Sequence, residues 1–350
     1  MRSIFGFIGK DIGLVISILF LLALSIFVLN SISPSLFPQY FVFIVVSLIA
    51  FWFFSQVGFE VASLFSTHLY IFSIFLLVLT IIIGSVTRGT VRWIPIGFFS
   101  LQPAEIVRPF LLVFFANYLT SQKITTKRIF KALLFLALPT FLILIQPSLS
   151  VAILTLIGFF GVLISSNFNK KYILIGITAT ILLLPIFYNV MAPYQKQRIT
   201  TFLSPSKDPL GAGYNSLQST IAAGSGEFSG RGLGRGVQTQ LAFLPEKQTD
   251  FIFAATGEEL GFVGAALMLI ATFVILFRLT KYMENSVNPA ARAYISGFLL
   301  TYLVQVFIHS GMNMGMLPVT GLPFPLVSAG GSSLLATMIG LGIALGANRR

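Results

Sequence analysis

The chain has 350 residues, of which 56% are hydrophobic and 9% are charged, with a mean hydropathy of +0.94; this excludes a water-soluble globule and predicts an integral membrane protein. It has no cysteine and two isolated histidines, His68 and His309, which excludes disulfides, thiolate metal sites and a histidine cluster. The net charge of +12 comes from short basic groups between apolar runs, so anionic lipid is favoured as a partner over nucleic acid.

Ten apolar runs are long enough to cross roughly 30 Å of hydrocarbon, at about 20 residues each. They lie at about 12–32, 37–57, 66–85, 104–121, 129–146, 149–167, 171–191, 251–280, 291–312 and 328–347. The first run is too long for the apolar part of a signal peptide and has no small-residue cleavage site after it, so we expect it to remain as a span. The sequence therefore predicts one all-α polytopic membrane domain over residues 1–350.

Lysine and arginine in the short connections predict the orientation, because cytoplasmic loops carry an excess of them. With the N-terminus inside, the inside segments hold Arg2, Lys10, Lys123, Lys127, Arg128, Lys131, Lys170, Lys171, Arg278, Lys281, Arg292, Arg349 and Arg350. The short outside connections at about 33–36, 147–148 and 313–327 hold none. Both termini are thus predicted to be cytoplasmic, with one large extracytoplasmic loop at about 192–249 between spans seven and eight.

Nine further basic residues fall outside, or at the outer boundary, on this topology: Arg88, Arg92, Arg108, Lys196, Arg198, Lys207, Arg231, Arg235 and Lys247. One interpretation is that long loops escape the positive-inside bias, which needs no function. The other is a binding surface for an anionic group above the outer leaflet. We favour the second, because these cations accompany irregular, glycine- and proline-rich backbone at membrane depth, which is tolerated only where it is buried or lines a cavity.

The segment from Thr87 to Pro109 is the first such stretch. Its prolines and glycines prevent a continuous helix, and Trp93 is typical of an interfacial anchor. Glu105 and Arg108 share a helix face at the i,i+3 spacing. They form either a plain ion pair or, because both begin a spanning helix, a pair aimed at a polar cavity.

A glycine-rich run at 230–236 contains Arg231 and Arg235. It follows no βαβ pattern, so dinucleotide binding is not predicted. Backbone N–H groups freed by glycine, beside two arginines, predict a cradle for a lipid diphosphate.

Three of the ten acidic residues lie on the apolar helix that follows. Asp250 is at its mouth, within reach of a lipid headgroup, with a simple helix cap beside Thr249 as the alternative. Glu258 and Glu259 lie about 12 Å deeper by helical rise, and we favour a structural role bridging helices over catalysis. The 34 residues to Met283 would extend roughly 50 Å as one helix, so its outer turns are expected to tilt or stand in a vestibule.

Together these motifs resemble the SEDS family (shape, elongation, division and sporulation), the RodA/FtsW peptidoglycan polymerases, over nearly the whole chain. The matching segments are Arg-Trp-Ile at 92–94, Gln-Pro-Ala-Glu at 102–105, 208–214, 230–234, 244–246, Thr-Asp-Phe at 249–251, Gly-Glu-Glu-Leu-Gly at 257–261 and 328–333. The compact length and the Gln-Pro turn resemble RodA more than FtsW.

The resemblance implies ten spans in the bacterial cytoplasmic membrane and inverting polymerisation of lipid II into glycan strands on its outer face, for cell-wall elongation and shape. It implies a class B penicillin-binding protein as the crosslinking partner. Asp250 is then the catalytic residue, with Glu258 and Glu259 as structural or tuning residues. The residues predicted to bind substrate are Arg92, Glu105, Arg108, Lys196, Arg198, Arg231, Arg235, Glu246, Thr249, Ser328 and Ser332.

Some positions depart from the family pattern. Ser148, Ser150, Arg108, Gln248 and Ala329 stand where aspartate, glycine, lysine, histidine and tyrosine are usual. None of them replaces Asp250, so the departures bear on substrate affinity and cation dependence.

The chemistry needs a single base, because a diphosphate bound to cations leaves without protonation. No metal ligand set is predicted and no cofactor is required, while a divalent cation at the diphosphate stays open. Two rival functions are a flippase for lipid-linked precursors, which would use the same basic cavity without chemistry, and a secondary transporter. A transporter would place ionisable residues near the midplane of internal repeats, and the sequence shows no repeat.

Overall fold

The computed structural model describes residues 11–87, 90–97, 99–166, 191–209, 211 and 213–348, together with isolated positions between 171 and 189. The predicted seventh span therefore lies largely outside the described residues. The same holds for Arg2, Lys10, Arg88, Lys170, Arg349 and Arg350.

The described residues form mainly helices, and each predicted span outside 171–191 coincides with one of them to within five residues. The helices are α1 (Ile12–Ile32), α2 (Phe37–Gln56), α3 (Phe59–Leu64), α4 (Ser66–Ile83), α5 (Pro103–Thr120), α6 (Thr126–Ile145), α7 (Leu149–Ser165), α8 (Pro193–Leu203), α9 (Tyr214–Ser225), α10 (Val237–Gln240), α11 (Ile252–Asn285), α12 (Pro289–Asn313) and α13 (Gly331–Ala347). Short 3₁₀ turns occur at Pro34–Leu36 and Pro205–Lys207.

Within the described part of the chain, six helical segments are long and apolar enough to cross a membrane: Ile12–Ile32, Pro34–Gln56, Ser66–Ile83, Thr126–Ile145, Ile252–Asn285 and Pro289–Asn313. Helices α7 and α13 are apolar but shorter. Large apolar side chains stand exposed along these helices, such as Ile82 at 72% and Phe141 at 61%. Exposed apolar surface of this extent fits a lipid environment, so the chain is a membrane protein.

A small antiparallel sheet interrupts the helices, so the all-α prediction is wrong for residues 85–87, 90–96 and 99–101. Its strands are β1 (Ser85–Thr87), β2 (Thr90–Ile96) and β3 (Phe99–Leu101), in the order β1-β2-β3. Strand β2 pairs with β1 as far as Trp93 and with β3 from Ile94 onwards. The threonine, valine, tryptophan and isoleucine of β2 favour a strand. Pro95 is tolerated because β2 has a partner on only one side at that position.

Helix α11 is broken at Gly261, where the sequence predicted one long tilted helix. Gly261 has φ 67° and ψ −164°, a conformation that is open essentially only to glycine, so α11 consists of segments 252–260 and 262–285. The residues just before the glycine-rich loop pair with the break through backbone hydrogen bonds: Phe262 N–H donates to Glu227 O at 2.8 Å and Val263 N–H to Phe228 O at 3.2 Å. These bonds satisfy N–H groups that the break frees from the helix.

Helix packing places two sets of helix ends at opposite ends of the bundle. Helix α1 packs on α11, α2 on α13, and α7 on α12. At one end, Asp11 caps α1 by accepting Leu14 N–H at 3.0 Å and binds Arg278 Nε at 2.6 Å and the Tyr282 hydroxyl. At the other end, which we call the site end, Ser31 of α1 reaches Glu259 of α11 at 2.8 Å.

Candidate active site

A cavity of about 180 Å³ opens at the site end, where the sheet, α5, α7, α8, α11 and α13 meet. Its charged lining residues are Arg92, Glu105, Arg198 and Asp250. The remaining lining residues are Trp93, Gln102, Pro147, Ser148, Leu149, Ser150, Val151, Tyr194, Thr249, Thr320, Gly321, Pro323, Gly330, Ser332 and Ser333. The sequence-predicted residues that the structure brings together here are Arg92, Glu105, Arg198, Thr249, Asp250 and Ser332.

Asp250 is half-buried and lies directly before Phe251, the residue that precedes helix α11. The capping position belongs to Phe251, whose side chain makes no capping hydrogen bond. One of the first free N–H groups of the helix, that of Ala254, donates to Asn313 Oδ1 at 2.9 Å. A simple helix-cap role for Asp250 therefore does not match the position that it occupies.

The turn before Asp250 is held from two sides. Glu246 has a positive φ of 51°, and its carbonyl oxygen accepts the N–H groups of Thr249 at 3.1 Å and Asp250 at 3.0 Å. The Ser328 hydroxyl donates to Thr249 O at 2.7 Å. Glu246 and Ser328, both predicted to bind substrate, do not line the cavity; both contact Thr249, which does, and the Glu246 carboxylate also accepts the Thr249 hydroxyl at 3.2 Å.

The segment between α12 and α13 forms one wall beside Asp250. Ala329 N–H donates to Gln248 O at 2.9 Å, which ties this segment to the turn. Gly321 has φ +73°, and a Cβ at this position would lie 3.5 Å from Asp250 Oδ2. A larger residue would be strained there and would occupy space next to the carboxylate.

Glu105 and Arg108 form a buried ion pair, as the i,i+3 spacing predicts. Glu105 also lines the cavity, whereas Arg108 lies behind it and donates to Gln305 Oε1 at 3.3 Å. Both interpretations from the sequence therefore hold in part. The position of Arg108 suits orienting Glu105 more than touching a substrate.

The short stretch before α5 links the sheet to neighbouring helices. Gln102 N–H donates to Ser332 Oγ at 2.7 Å, and Gln102 Nε2 donates to Ser148 Oγ at 3.3 Å. Ser148 thus stands on the cavity wall at a position where the family usually has aspartate.

The predicted surface of nine cations is not one cluster. Of those described, Arg92 and Arg198 line the cavity, and Arg198 Nη1 donates to Thr320 O at 3.0 Å. Lys196 instead donates to Asn189 O at 3.0 Å, and Arg231 Nε to Ser225 O at 3.1 Å, while Arg231 and Arg235 are exposed. Lys196 and Arg231 thus donate to nearby backbone carbonyl groups, and the spacing of charges along the sequence does not reveal such contacts.

The glycine-rich loop is occupied by contacts within the protein. Its N–H groups at Gly230, Arg231, Gly232, Gly234 and Arg235 all donate to protein acceptors, including Glu258 O at 3.0 Å and Glu259 O at 2.9 Å. The predicted diphosphate cradle made of these N–H groups is therefore not formed. The loop instead covers the break in α11.

Glu258 and Glu259 are fully buried in the same region. Glu258 accepts the N–H groups of Gln238 at 2.8 Å and Thr239 at 2.9 Å, where α10 begins. Glu259 accepts the Ser31 hydroxyl at 2.8 Å and the Gln240 amide at 2.8 Å. These contacts join α1, α10, α11 and the glycine-rich loop.

Lys247 lies near this buried pair and donates to Thr239 O. Burial lowers the pKa of its ammonium group, and the charges of Glu259 and Glu258 partly offset that shift. Lys247 therefore belongs with the glutamates and not with the cavity.

Several cavity residues were not selected from the sequence. They are Tyr194, Thr320, Gly321, Pro323 and Ser333, while Ser148 and Ser150 were noted only as departures. A signal was present in the run Thr-Gly-Leu-Pro-Phe-Pro at 320–325, because it is another glycine- and proline-rich stretch beside a spanning helix.

A family model described as "Cell cycle protein", for FtsW, RodA and SpoVE, matches residues 4–350. The chain belongs to this family. It is 37% identical over 281 residues to the peptidoglycan glycosyltransferase MrdB of Escherichia coli (strain K12), covering 79% of this chain and 76% of that protein. It is 34% identical over 310 residues to the probable peptidoglycan glycosyltransferase FtsW of Aeromonas salmonicida (strain A449), covering 85% and 77%.

Solved structures share the fold. A chain from a peptidoglycan synthase complex that coordinates polymerization and crosslinking superimposes with a TM-score of 0.83 at 29% identity, over 97% of both chains. The rod shape determining protein RodA of Thermus thermophilus superimposes with a TM-score of 0.72 at 26% identity, over 97% and 96%. The resemblance to the RodA/FtsW family, with RodA as the nearer relative, is confirmed.

Proposed function

We propose that this chain is an inverting peptidoglycan glycosyltransferase that polymerises lipid II on the outer face of the bacterial cytoplasmic membrane, during cell-wall elongation. Its relatives from Escherichia coli and Aeromonas salmonicida carry the name peptidoglycan glycosyltransferase. The observation that carries the mechanism is the cavity in which Asp250 shares a wall with Arg92 and Arg198. One carboxylate and two guanidinium groups are what this transfer needs.

In the proposed reaction, the C4 hydroxyl of an acceptor sugar attacks the anomeric carbon of a chain linked to undecaprenyl diphosphate. A new glycosidic C–O bond forms, and the bond from the anomeric carbon to the diphosphate oxygen breaks. The hydroxyl proton passes to Asp250, which acts as the general base. The diphosphate leaves with the bonding electron pair, and Arg92 and Arg198 balance its charge, so no acid is needed.

Two carboxylates line the cavity, and their surroundings differ. The Glu105 side chain is 4% exposed and shares its charge with Arg108, which suits a wall residue. Asp250 lies at the half-exposed mouth of the cavity, where a headgroup can reach it. An inverting glycosidase pairs an acid with a base, whereas a transfer from diphosphate uses one base, so Asp250 alone fills the catalytic role.

The cavity volume limits what it holds. About 180 Å³ is smaller than the roughly 300–1,000 Å³ of pockets that enclose whole ligands. We therefore place only the reacting hydroxyl, the anomeric carbon and the diphosphate in the cavity, with the sugars, peptide and lipid outside it.

The proposal includes the topology and the partner. Ten spans with both termini cytoplasmic would put the loop at about 192–249, and with it the cavity, outside the membrane. A class B penicillin-binding protein is the proposed crosslinking partner, bound to outer loops and spanning helices; a related chain comes from a peptidoglycan synthase complex.

The leaving diphosphate needs positive charge beside it, either from the protein or from a metal ion. Among the described residues, no group of three or more histidine, cysteine, aspartate or glutamate side chains could hold a metal ion. The proposed charge balance rests on Arg92 and Arg198, and a divalent cation carried by the diphosphate itself remains the alternative.

The test is polymerisation of lipid II by the purified chain, with and without a co-purified class B penicillin-binding protein. Asp250→Asn keeps the shape of the side chain but removes its proton affinity, so glycan yield should fall about 10²- to 10⁴-fold while lipid II still binds. Glu60→Gln is the matched control, because Glu60 is an exposed carboxylate at the opposite end of the bundle. Wild-type glycan yield from Asp250→Asn would contradict the role of Asp250 as the base, whereas lipid translocation without any polymer from the wild-type chain would favour the flippase.

A further inference from the structure

Two buried polar side chains near the end of α12 contact the two segments that lie on either side of the Asp250 carboxylate. One segment is the turn that carries Asp250, and the other is the segment that carries Gly321. His309 and Asn313 are four residues apart, so they share one face of the helix, and both are fully buried. In the sequence, His309 is isolated from the other histidine and Asn313 belongs to none of the motifs. Burying a histidine and an asparagine is costly unless their polar atoms find partners, so their partners indicate what they are for.

Asn313 uses its amide group to fix the chain on both sides of Phe251. Its Nδ2 donates to Asp250 O at 2.9 Å and to His309 O at 2.8 Å. Its Oδ1 accepts Ala254 N–H at 2.9 Å. The carbonyl carbon and the side chain of Asp250 are bonded to the same Cα, so this hydrogen bond fixes the position from which the side-chain carboxylate extends.

His309 holds the facing wall. Its Nδ1 lies 2.6 Å from Leu322 O, and a carbonyl oxygen can only accept, so Nδ1 carries the proton. The ring also stands edge-on to Phe324 with centroids 5.5 Å apart. Leu322 follows Gly321, the residue whose Cβ would lie 3.5 Å from Asp250 Oδ2.

We infer that His309 and Asn313 are positioning residues that set the gap between the Asp250 carboxylate and the Gly321 wall. This inference rests on the proposed function, because the gap is where the acceptor hydroxyl would have to lie. Both anchors are on one rigid helix, one turn apart, so the two walls move together. A shift of about 1 Å in such a gap is enough to reduce turnover about 10²-fold.

The first test removes the two hydrogen bonds that Asn313 Nδ2 donates, to Asp250 O and to His309 O, and keeps the size of the side chain. Asn313→Asp retains an oxygen for Ala254 N–H but has no N–H for Asp250 O. On folded protein with lipid II, kcat should fall about 10- to 100-fold with KM nearly unchanged, because binding groups such as Arg198 stay in place. Ser296→Ala on the same helix is the matched control; it loses a buried bond to Gly161 O of 2.8 Å and should alter thermal stability without altering kcat.

A second pair of variants separates positioning from packing and serves if Asn313→Asp does not fold. His309→Asn keeps an N–H donor near the Nδ1 position, whereas His309→Phe keeps the ring volume beside Phe324. Positioning predicts that the asparagine variant retains the higher kcat, and a purely structural role predicts the opposite order.

Three results are decisive. Wild-type kcat in Asn313→Asp, or a higher kcat in His309→Phe than in His309→Asn, would overturn this inference while Asp250→Asn stays inactive. Full activity of Asp250→Asn would instead overturn the proposed function, so the two failures are distinguishable.

Discussion

Asp250 lies just before helix α11 and the pair Glu258 and Glu259 lies in the first segment of that helix, yet their surroundings are opposite. Asp250 is half-exposed on a cavity wall that also carries two arginines. The glutamates are fully buried and accept backbone and side-chain donors from three other segments. A carboxylate is a candidate base when it faces a cavity, and a structural anchor when the protein's own donors surround it.

The physical reason is the cost of leaving buried groups without partners. Glu258 accepts two N–H groups at the start of α10, and each would lose its hydrogen bond if the carboxylate were removed. An unsatisfied buried donor costs about 1–3 kcal/mol. The turn before helix α11 thus carries a residue whose loss should affect chemistry, and the helix itself carries residues whose loss should affect folding.

The largest effect on stability is expected at Gly261, where helix α11 is broken. Gly261→Ala places a Cβ against the backbone of Phe228 and Gly230 in a conformation that only glycine adopts. The unfolding free energy should fall by about 3 kcal/mol or more, which thermal unfolding in detergent measures.

Gly224→Ala is the matched control, because a Cβ there meets nothing within 4 Å. It should change stability by less than about 1 kcal/mol. Equal stability of the two variants would contradict the account of the broken helix.

A smaller effect is expected at the cavity, on the KM for lipid II. Arg198→Ala removes a cation from the cavity wall, so KM for lipid II should rise about fivefold at low salt, corresponding to about 1 kcal/mol. The difference should shrink as ionic strength rises, because salt screens the contact with diphosphate.

Arg235→Ala removes an exposed arginine outside the cavity lining and serves as the comparison. It should leave KM unchanged. A similar rise in KM from both variants would restore the broad cationic surface that the sequence suggested.

The substitutions that test the orientation of the chain in the membrane are expected to have the smallest effect on stability and activity. Both regions occupy the site end, which the proposed topology puts outside the cell. The chain has no cysteine, so Lys207→Cys, Lys123→Cys and Val287→Cys can be labelled without background, and all three positions are exposed. A membrane-impermeant thiol reagent should label only Lys207→Cys in intact cells, and labelling of Lys123→Cys would contradict the ten-span topology.

Much of the fold was predictable, because apolar runs of about 20 residues have few alternatives to a spanning helix. The bounds of α1, α2 and α4 follow the predicted runs to within two residues. The break at Gly261 was not predictable in the same way, since it depends on backbone bonds from a loop that is about 30 residues away along the chain. Local composition shows a glycine but not which segment inserts beside it.

The charged residues of the site were predictable from the sequence, whereas the contacts that hold the cavity walls in place were not. The Thr-Asp-Phe motif led to Asp250, and the irregular segment at 87–109 led to Arg92 and Glu105. The glycine-rich loop was misjudged because its free N–H groups are a local property, whereas their acceptors at Glu258 and Glu259 are tertiary contacts. Asn313 was missed because nothing in its sequence neighbours indicates a bond to the Asp250 backbone.

The most direct measurement compares Asp250→Asn with Glu258→Gln in one set of assays: glycan yield from lipid II per folded molecule, and thermal stability. The account predicts that Asp250→Asn loses about 10²- to 10⁴-fold in yield, or about 3–5 kcal/mol of barrier, with wild-type stability. Glu258→Gln should instead lose stability and keep its yield per folded molecule. Near-wild-type yield from well-folded Asp250→Asn would contradict the assignment of Asp250 as the base.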